Sequence, residues 1–111
     1  MDFDVSTTCD GGTCIVRVNG EVDVYTSPTL KASLVDAMKD SEGTVVVDLD
    51  GVGFIDSSGL GVLVGALRRA REAGGDLRIV SARAAVEKIL VITGLDRVFP
   101  LYKTVDEALG A

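Results

Sequence analysis

Short apolar runs, broken by turns rich in glycine and aspartate, recur along this chain, and their period shifts between two and about 3.6 residues. Phe3, Val5 and Thr7 alternate with polar neighbours over residues 3–8, the pattern of a strand. Asp10-Gly11-Gly12 is a turn signal, and residues 14–19 resume as a second strand, so a β-hairpin is expected. Gly20-Glu21-Val22-Asp23 is expected to end that strand and lead into a loop. Ser27-Pro28 then marks a helix start, with Ser27 as N-cap and Pro28 at the first helical position. Leu30, Leu34 and Met38 follow at helical spacing and form its buried stripe.

Ser41-Glu42-Gly43 closes that helix, and Val45 to Leu49 has the unbroken apolar character of a strand buried on both faces. Past the Asp56-Ser57-Ser58-Gly59 turn, Leu60, Leu63, Val64 and Leu67 spell a second helical stripe, stopped by Gly74-Gly75. Leu77 to Val80 is a further strand. A third helix carries Val86, Ile89 and Leu90 and ends near Gly94. Val98 to Leu101 is expected as a short edge strand, because Pro100 suits an edge. Thr104 to Glu107 forms a capping box that opens a brief last helix. The alternation predicts an α/β domain: a mixed β-sheet of four to five strands with an N-terminal β-hairpin, packed with about four helices. With no linker or repeat, residues 1–111 are expected to form a single domain. Sites in open α/β sheets lie beyond the carboxyl ends of the strands. The Asp56–Gly59 turn follows the expected central strand, and Asp23 is expected nearby.

Composition narrows the partners. Hydrophobic residues make up 47% and charged residues 25%, ordinary for a soluble globular chain. A net charge of -6 argues against direct nucleic-acid binding and favours basic protein partners. The basic cluster Arg68-Arg69-Ala70-Arg71 falls on an expected solvated helix face. No apolar run approaches the roughly 20 residues of a membrane span, and Met1-Asp2-Phe3-Asp4 lacks the pattern of a signal peptide. A cytoplasmic location is expected. Cys9 and Cys14 flank the hairpin turn and can face each other across it, but a reducing cytosol favours two free thiols.

The chemistry available is sparse. There is no histidine, hence neither the usual base for a serine nucleophile nor the commonest metal ligand. Ser57 lacks a Gly-x-Ser-x-Gly setting, no P-loop string occurs, and Gly59-Leu60-Gly61 is too short for a dinucleotide fingerprint. Two cysteines without histidine make a poor zinc site. Nothing in the spacing of Asp23, Asp48, Asp50 and Asp56 makes them converge. An enzyme is not expected, and no cofactor or metal is implied. What remains is a helix N-terminus carrying Asp56, Ser57 and Ser58, where unpaired N–H groups and the helix dipole favour an anion. From the residues alone, Asp56 or Ser57 is either a routine helix cap or part of a phosphoacceptor turn. Gly59 leaves the turn uncrowded, and Gly61-Val62 sets a small residue and an aliphatic one beside it.

Gly20-Glu21-Val22-Asp23, the run Val45-Val46-Val47-Asp48-Leu49, and Phe54-Ile55-Asp56-Ser57-Ser58-Gly59-Leu60-Gly61-Val62-Leu63 together resemble bacterial anti-sigma factor antagonists. These are the small single-domain members of the STAS group, and Gly74-Gly75 and Thr93-Gly94-Leu95 extend the resemblance over nearly the whole chain. The resemblance implies that Ser57 is phosphorylated by a partner that is both anti-sigma factor and serine kinase. The unphosphorylated form would bind that partner and release sigma factor, and a PP2C-type phosphatase would restore it. Asp23 and Asp56 match acidic positions at the kinase contact; Ser57, Ser58, Gly59, Gly61 and Val62 complete the expected partner surface. The assignment to Ser57 rather than Ser58 rests on the resemblance. Two alternatives stay open: a STAS-type scaffold or adaptor without a phosphorylation cycle, and a small nucleotide-binding domain. The second is weakened by the lack of lysine or arginine in the Asp56–Gly61 turn.

Overall fold

The apolar run at Val45–Val47 and Leu49 is fully buried, and that burial sets the centre of the molecule. A computed structural model describes residues 3–111; Met1 and Asp2, half of the acidic N-terminus read above, lie outside the described residues. The elements are β1 (Asp4–Asp10), β2 (Thr13–Val22), α1 (Ser27–Asp40), β3 (Thr44–Ile55), α2 (Ser57–Glu72), β4 (Asp76–Val80), α3 (Ala84–Ile92), β5 (Leu101–Tyr102) and α4 (Val105–Gly110), with a 3₁₀ turn at Leu95–Arg97. The strands lie in the order β1-β2-β3-β4-β5, with β1 antiparallel to β2 and the remaining pairs parallel. This is the mixed sheet with an N-terminal hairpin that the polar pattern predicts.

The main core joins the sheet to α1, α2 and α3 through Leu30, Leu34, Leu63, Leu67, Val86 and Leu90. The expected stripe residues Met38, Val64 and Ile89 pack at its margin, half-buried. A smaller cluster on the opposite face joins Val46, Val80 and Ala108 of α4. β3 carries core on both sides, as β4 does through Leu77, Ile79 and Val80, and the turn that follows its carboxyl end is anchored to that core.

Several local expectations need correction. β2 does not end at Gly20. It bends through a register shift at Gly20/Glu21, where Gly20 adopts φ 105°, and continues to Val22. The extra residue of this bulge is Gly53 on β3, and Gly20, paired with Val52 opposite, is a bend within β2 rather than its end. The first helix begins at Ser27, with Thr26 rather than Ser27 in the cap position, so Ser27 is buried within the first turn. The edge strand sits at Leu101–Tyr102 rather than Val98–Leu101; residues 95–97 wind into a 3₁₀ turn, and Phe99 enters the core. The Pro100 carbonyl still accepts the Ile79 N–H at 3.0 Å, so the residue without a donor serves as an acceptor at the edge. Thr104 caps α4 by accepting the Glu107 N–H at 3.1 Å, while Glu107 reaches the Lys103 N–H and not that of Thr104.

The two cysteines are not free thiols. The hairpin register places Cys9 opposite Cys14 with their Cα atoms 4.1 Å apart, and the sulfurs are bonded at 2.08 Å. Pairing across a two-residue turn overrode the expectation drawn from compartment. The basic cluster is also less uniform than expected. Arg68 and Arg69 are exposed, Ala70 is buried, and Arg71 lies 3.8 Å from Asp76 and donates to the Val98 carbonyl.

Candidate functional site

β2 and β3 end side by side: Val22 pairs with Ile55, and the Val22 carbonyl accepts the Asp56 N–H at 3.1 Å. The loop after β2 and the first turn of α2 are therefore held together at the carboxyl edge of the sheet, where α/β folds place their sites. Asp23 and Asp56 each open one of these segments.

Asp56 is the N-cap of α2. Its Oδ1 accepts the N–H of Ser58 at 2.9 Å, the N–H of Gly59 at 3.2 Å and the hydroxyl of Ser58 at 2.5 Å. The Ser58 hydroxyl, with the Gly59 and Ser58 amides behind it, holds the Asp56 carboxyl below its ordinary value of 3.8, against a partial desolvation that pushes the other way. The carboxylate thus takes two of the amide donors that a helix N-terminus offers an anion. What stays open is the hydroxyl of Ser57, at the first helical position, exposed and without a side-chain hydrogen bond among the described residues. The two serines differ in kind: Ser58 is part of the cap, and Ser57 projects from it.

Gly59 has a different role from the uncrowded turn expected of it. It is buried, and a Cβ there would come within 2.5 Å of Val22 Cγ1 and 2.8 Å of Ile55 Cγ1. Its missing side chain lets α2 start flush against the ends of β2 and β3. It positions the site from beneath, whereas Gly61, two residues on, is exposed and has open space around it. Val62 is half-buried between α2 and α1.

Asp23 builds a loop. Its Oδ1 accepts the N–H groups of Tyr25 and Thr26 at 2.9 and 3.0 Å, and its own N–H donates to the Thr26 hydroxyl, which in turn donates to the Glu21 carbonyl at 2.8 Å. The loop so fixed carries Val24 and Tyr25 outward, 62% and 88% exposed, and Phe54 on β3 is 47% exposed at the same edge. These three were not singled out from sequence. Their signal is an apolar pair in a polar turn between a strand end and a helix start.

The other two aspartates lie elsewhere. Asp48 faces Arg17 at 3.8 Å, and Asp50 accepts the Ala82 N–H at 2.8 Å. Among the described residues no group of three or more acidic or thiol side chains is placed to hold a metal. Among them, too, no helix is long and apolar enough to cross a membrane.

Comparison with known proteins agrees with this architecture. The STAS domain model matches residues 4–108. An anti-sigma-B factor antagonist of Staphylococcus aureus is 34% identical over 95 residues, spanning 86% of this chain and 88% of the relative. An anti-sigma F factor antagonist of Paenibacillus polymyxa is 29% identical over 110 residues, covering 98% and 94%. The crystal structure of an anti-sigma factor antagonist from Mycobacterium paratuberculosis superposes with a TM-score of 0.89 at 32% identity, over 98% of this chain and 92% of that one. With its sheet order, its hairpin and its α2 turn all in place, the chain belongs to the STAS domain family.

Proposed function

We propose that residues 1–111 act as one cytoplasmic STAS unit that antagonises an anti-sigma factor, and that phosphorylation of Ser57 switches it off. The relatives named above are anti-sigma factor antagonists, which supports the first half. One observation carries the second: the Ser57 hydroxyl is exposed and unengaged, while that of Ser58 is committed to Asp56. A serine kinase needs a hydroxyl it can reach, and the cap leaves it one.

In this reading the unphosphorylated chain binds an anti-sigma factor that is also its kinase and so releases sigma factor. A PP2C-type phosphatase resets the switch. The contact surface comprises Ser57, Asp56, Gly61 and Val62 on α2 together with the Asp23 loop, its exposed Val24 and Tyr25, and Phe54. Asp23, Ser58 and Gly59 support that surface from within. A phosphate on Ser57 brings a charge of about -1.5 to -2. The dipole of α2 favours it by about 0.3–1 kcal/mol, but Asp56 already holds the Ser58 and Gly59 amides and repels it. The phosphate therefore stays in solvent and the fold is retained. At an interface shaped for a hydroxyl, the same uncompensated charge costs about 3–5 kcal/mol. That is about 10²-fold or more in affinity, enough for a switch.

Titration calorimetry against the purified anti-sigma factor tests this. Ser57→Ala is expected to bind like the wild type, and Ser57→Asp to bind at least tenfold more weakly with unchanged helical circular dichroism. Equal affinity of the two variants would remove the switch, and loss of helical signal in Ser57→Asp would replace the rigid-surface mechanism with a conformational one.

A further inference from the structure

We propose that the groove between α1 and α2 seats an amphipathic helix of the protein partner, with carboxylates along that helix's edges. Two hollows of about 310 and 410 Å³ lie between these helices and share Val35, Met38 and Arg69, so they lie end to end along one groove. It starts at Ser58, next to the exposed Ser57 hydroxyl, and runs down to Gly74 and Gly75. From Ser58 to Ala73 along α2 the distance is about 22 Å, which matches about four turns of a docked helix.

The lining has three properties that together select such an occupant. Its floor is apolar, with Leu34, Ala66 and Ala70 buried and Val35 and Met38 half-exposed. Gly61 and Gly65 lie one turn apart on α2, and a Cβ at either would meet nothing within 4 Å. They leave a gap in the i, i+4 ridge of α2 into which a ridge from another helix can fit at close range. Third, the rim is basic on a chain of net charge -6. Lys31, Lys39 and Arg69 line the groove, and none of them belongs to an ion pair among the described residues. The upper hollow is lined by no carboxylate, and the lower one only by Glu42. An apolar trough with a cationic rim complements an apolar helix face flanked by acidic side chains, the helix-in-groove mode of recognition.

The inference rests on the reading of this chain as an anti-sigma factor antagonist, and extends the partner's footprint down α2. The probe is the purified anti-sigma factor, titrated calorimetrically with wild type, Gly65→Phe, a Lys31→Glu/Arg69→Glu double variant and Ser57→Asp. All four positions are exposed, so thermal melts near that of the wild type are expected. Gly65→Phe fills the trough and is expected to weaken binding about tenfold or more. The double charge reversal is expected to do the same and to flatten the dependence of affinity on salt. Wild-type affinity in Gly65→Phe, alongside weak binding by Ser57→Asp, would overturn the groove and leave the Ser57 switch standing. Weak binding by Gly65→Phe with full binding by Ser57→Asp would do the reverse. Hydrogen exchange on the complex is expected to protect one helical segment of the partner. Protection of a partner strand or loop instead would overturn the helix as occupant.

Discussion

Gly59→Ala and Gly65→Ala place the same methyl group on the same helix, and the structure assigns them opposite signs. At position 59 the new Cβ would lie 2.5 Å from Val22 Cγ1, 2.8 Å from Ile55 Cγ1 and 3.2 Å from Ile55 Cδ1. Ordinary contact begins near 3.4 Å, so the first turn of α2 or its neighbours must give by about 1 Å. Val22 and Ile55 are fully buried and hemmed in, which leaves them little room to rotate. Overpacking of this size costs about 1–3 kcal/mol, and the better helix propensity of alanine returns about 1 kcal/mol. A net loss of up to about 2 kcal/mol is expected. At position 65 the methyl enters open space, so only the propensity gain of about 0.5–1 kcal/mol remains. Because the propensity gain is common to both, urea unfolding followed by circular dichroism should separate the two variants by the overpacking cost, about 1–3 kcal/mol, with Gly65→Ala the more stable. Gly59→Ala should also weaken partner binding, since displacing the first turn displaces Ser57. A Gly59→Ala protein as stable as Gly65→Ala would refute the flush contact of α2 with the ends of β2 and β3, and with it the rigid placement of the serine.

The Asp56 cap makes stability depend on pH in a definite direction. Its carboxyl titrates below 3.8 in the folded chain, so its contribution is complete above that value and is lost as pH falls through the depressed one. Thermal melts of wild type and Asp56→Ala should differ most at neutral pH and converge below 3.8; a gap independent of pH would contradict the cap. For the hairpin, the Cys9–Cys14 register predicts an intramolecular product. Mildly oxidised protein, denatured without reductant, should titrate no thiols and run as a monomer, whereas two thiols or linked dimers would contradict the register.

The parts of the fold that were legible in the sequence are those where one physical signal dominates. Val45–Val47 and Leu49 could only be a strand with core on both faces, and Leu30, Leu34, Leu63 and Leu67 could only be helical stripes. Where two signals compete, the three-dimensional context decides. Gly20 reads as a terminator, yet it adopts a positive φ while still paired with Val52, and β2 runs on to Val22. Cys9 and Cys14 read as thiols on compartment grounds, yet cross-strand register joins them. The turn Asp56-Ser57-Ser58-Gly59 was recognisable as a helix start, but its division of labour was not. Which serine bonds the cap, and which glycine faces the core, depend on side-chain directions set by the neighbouring strand ends. Val24 and Tyr25, and the exposure of Phe54, escaped notice because an exposed apolar residue gives no periodic signal.

The separate fates of the two serine hydroxyls are open to direct measurement. The chain is incubated with the proposed anti-sigma factor kinase and ATP, digested, and the modified residue located by fragmentation mass spectrometry. A single phosphate on Ser57, with Ser58 unmodified, is the expected result. Phosphate on Ser58 with Ser57 untouched, or none on a chain that binds the kinase tightly, would contradict it.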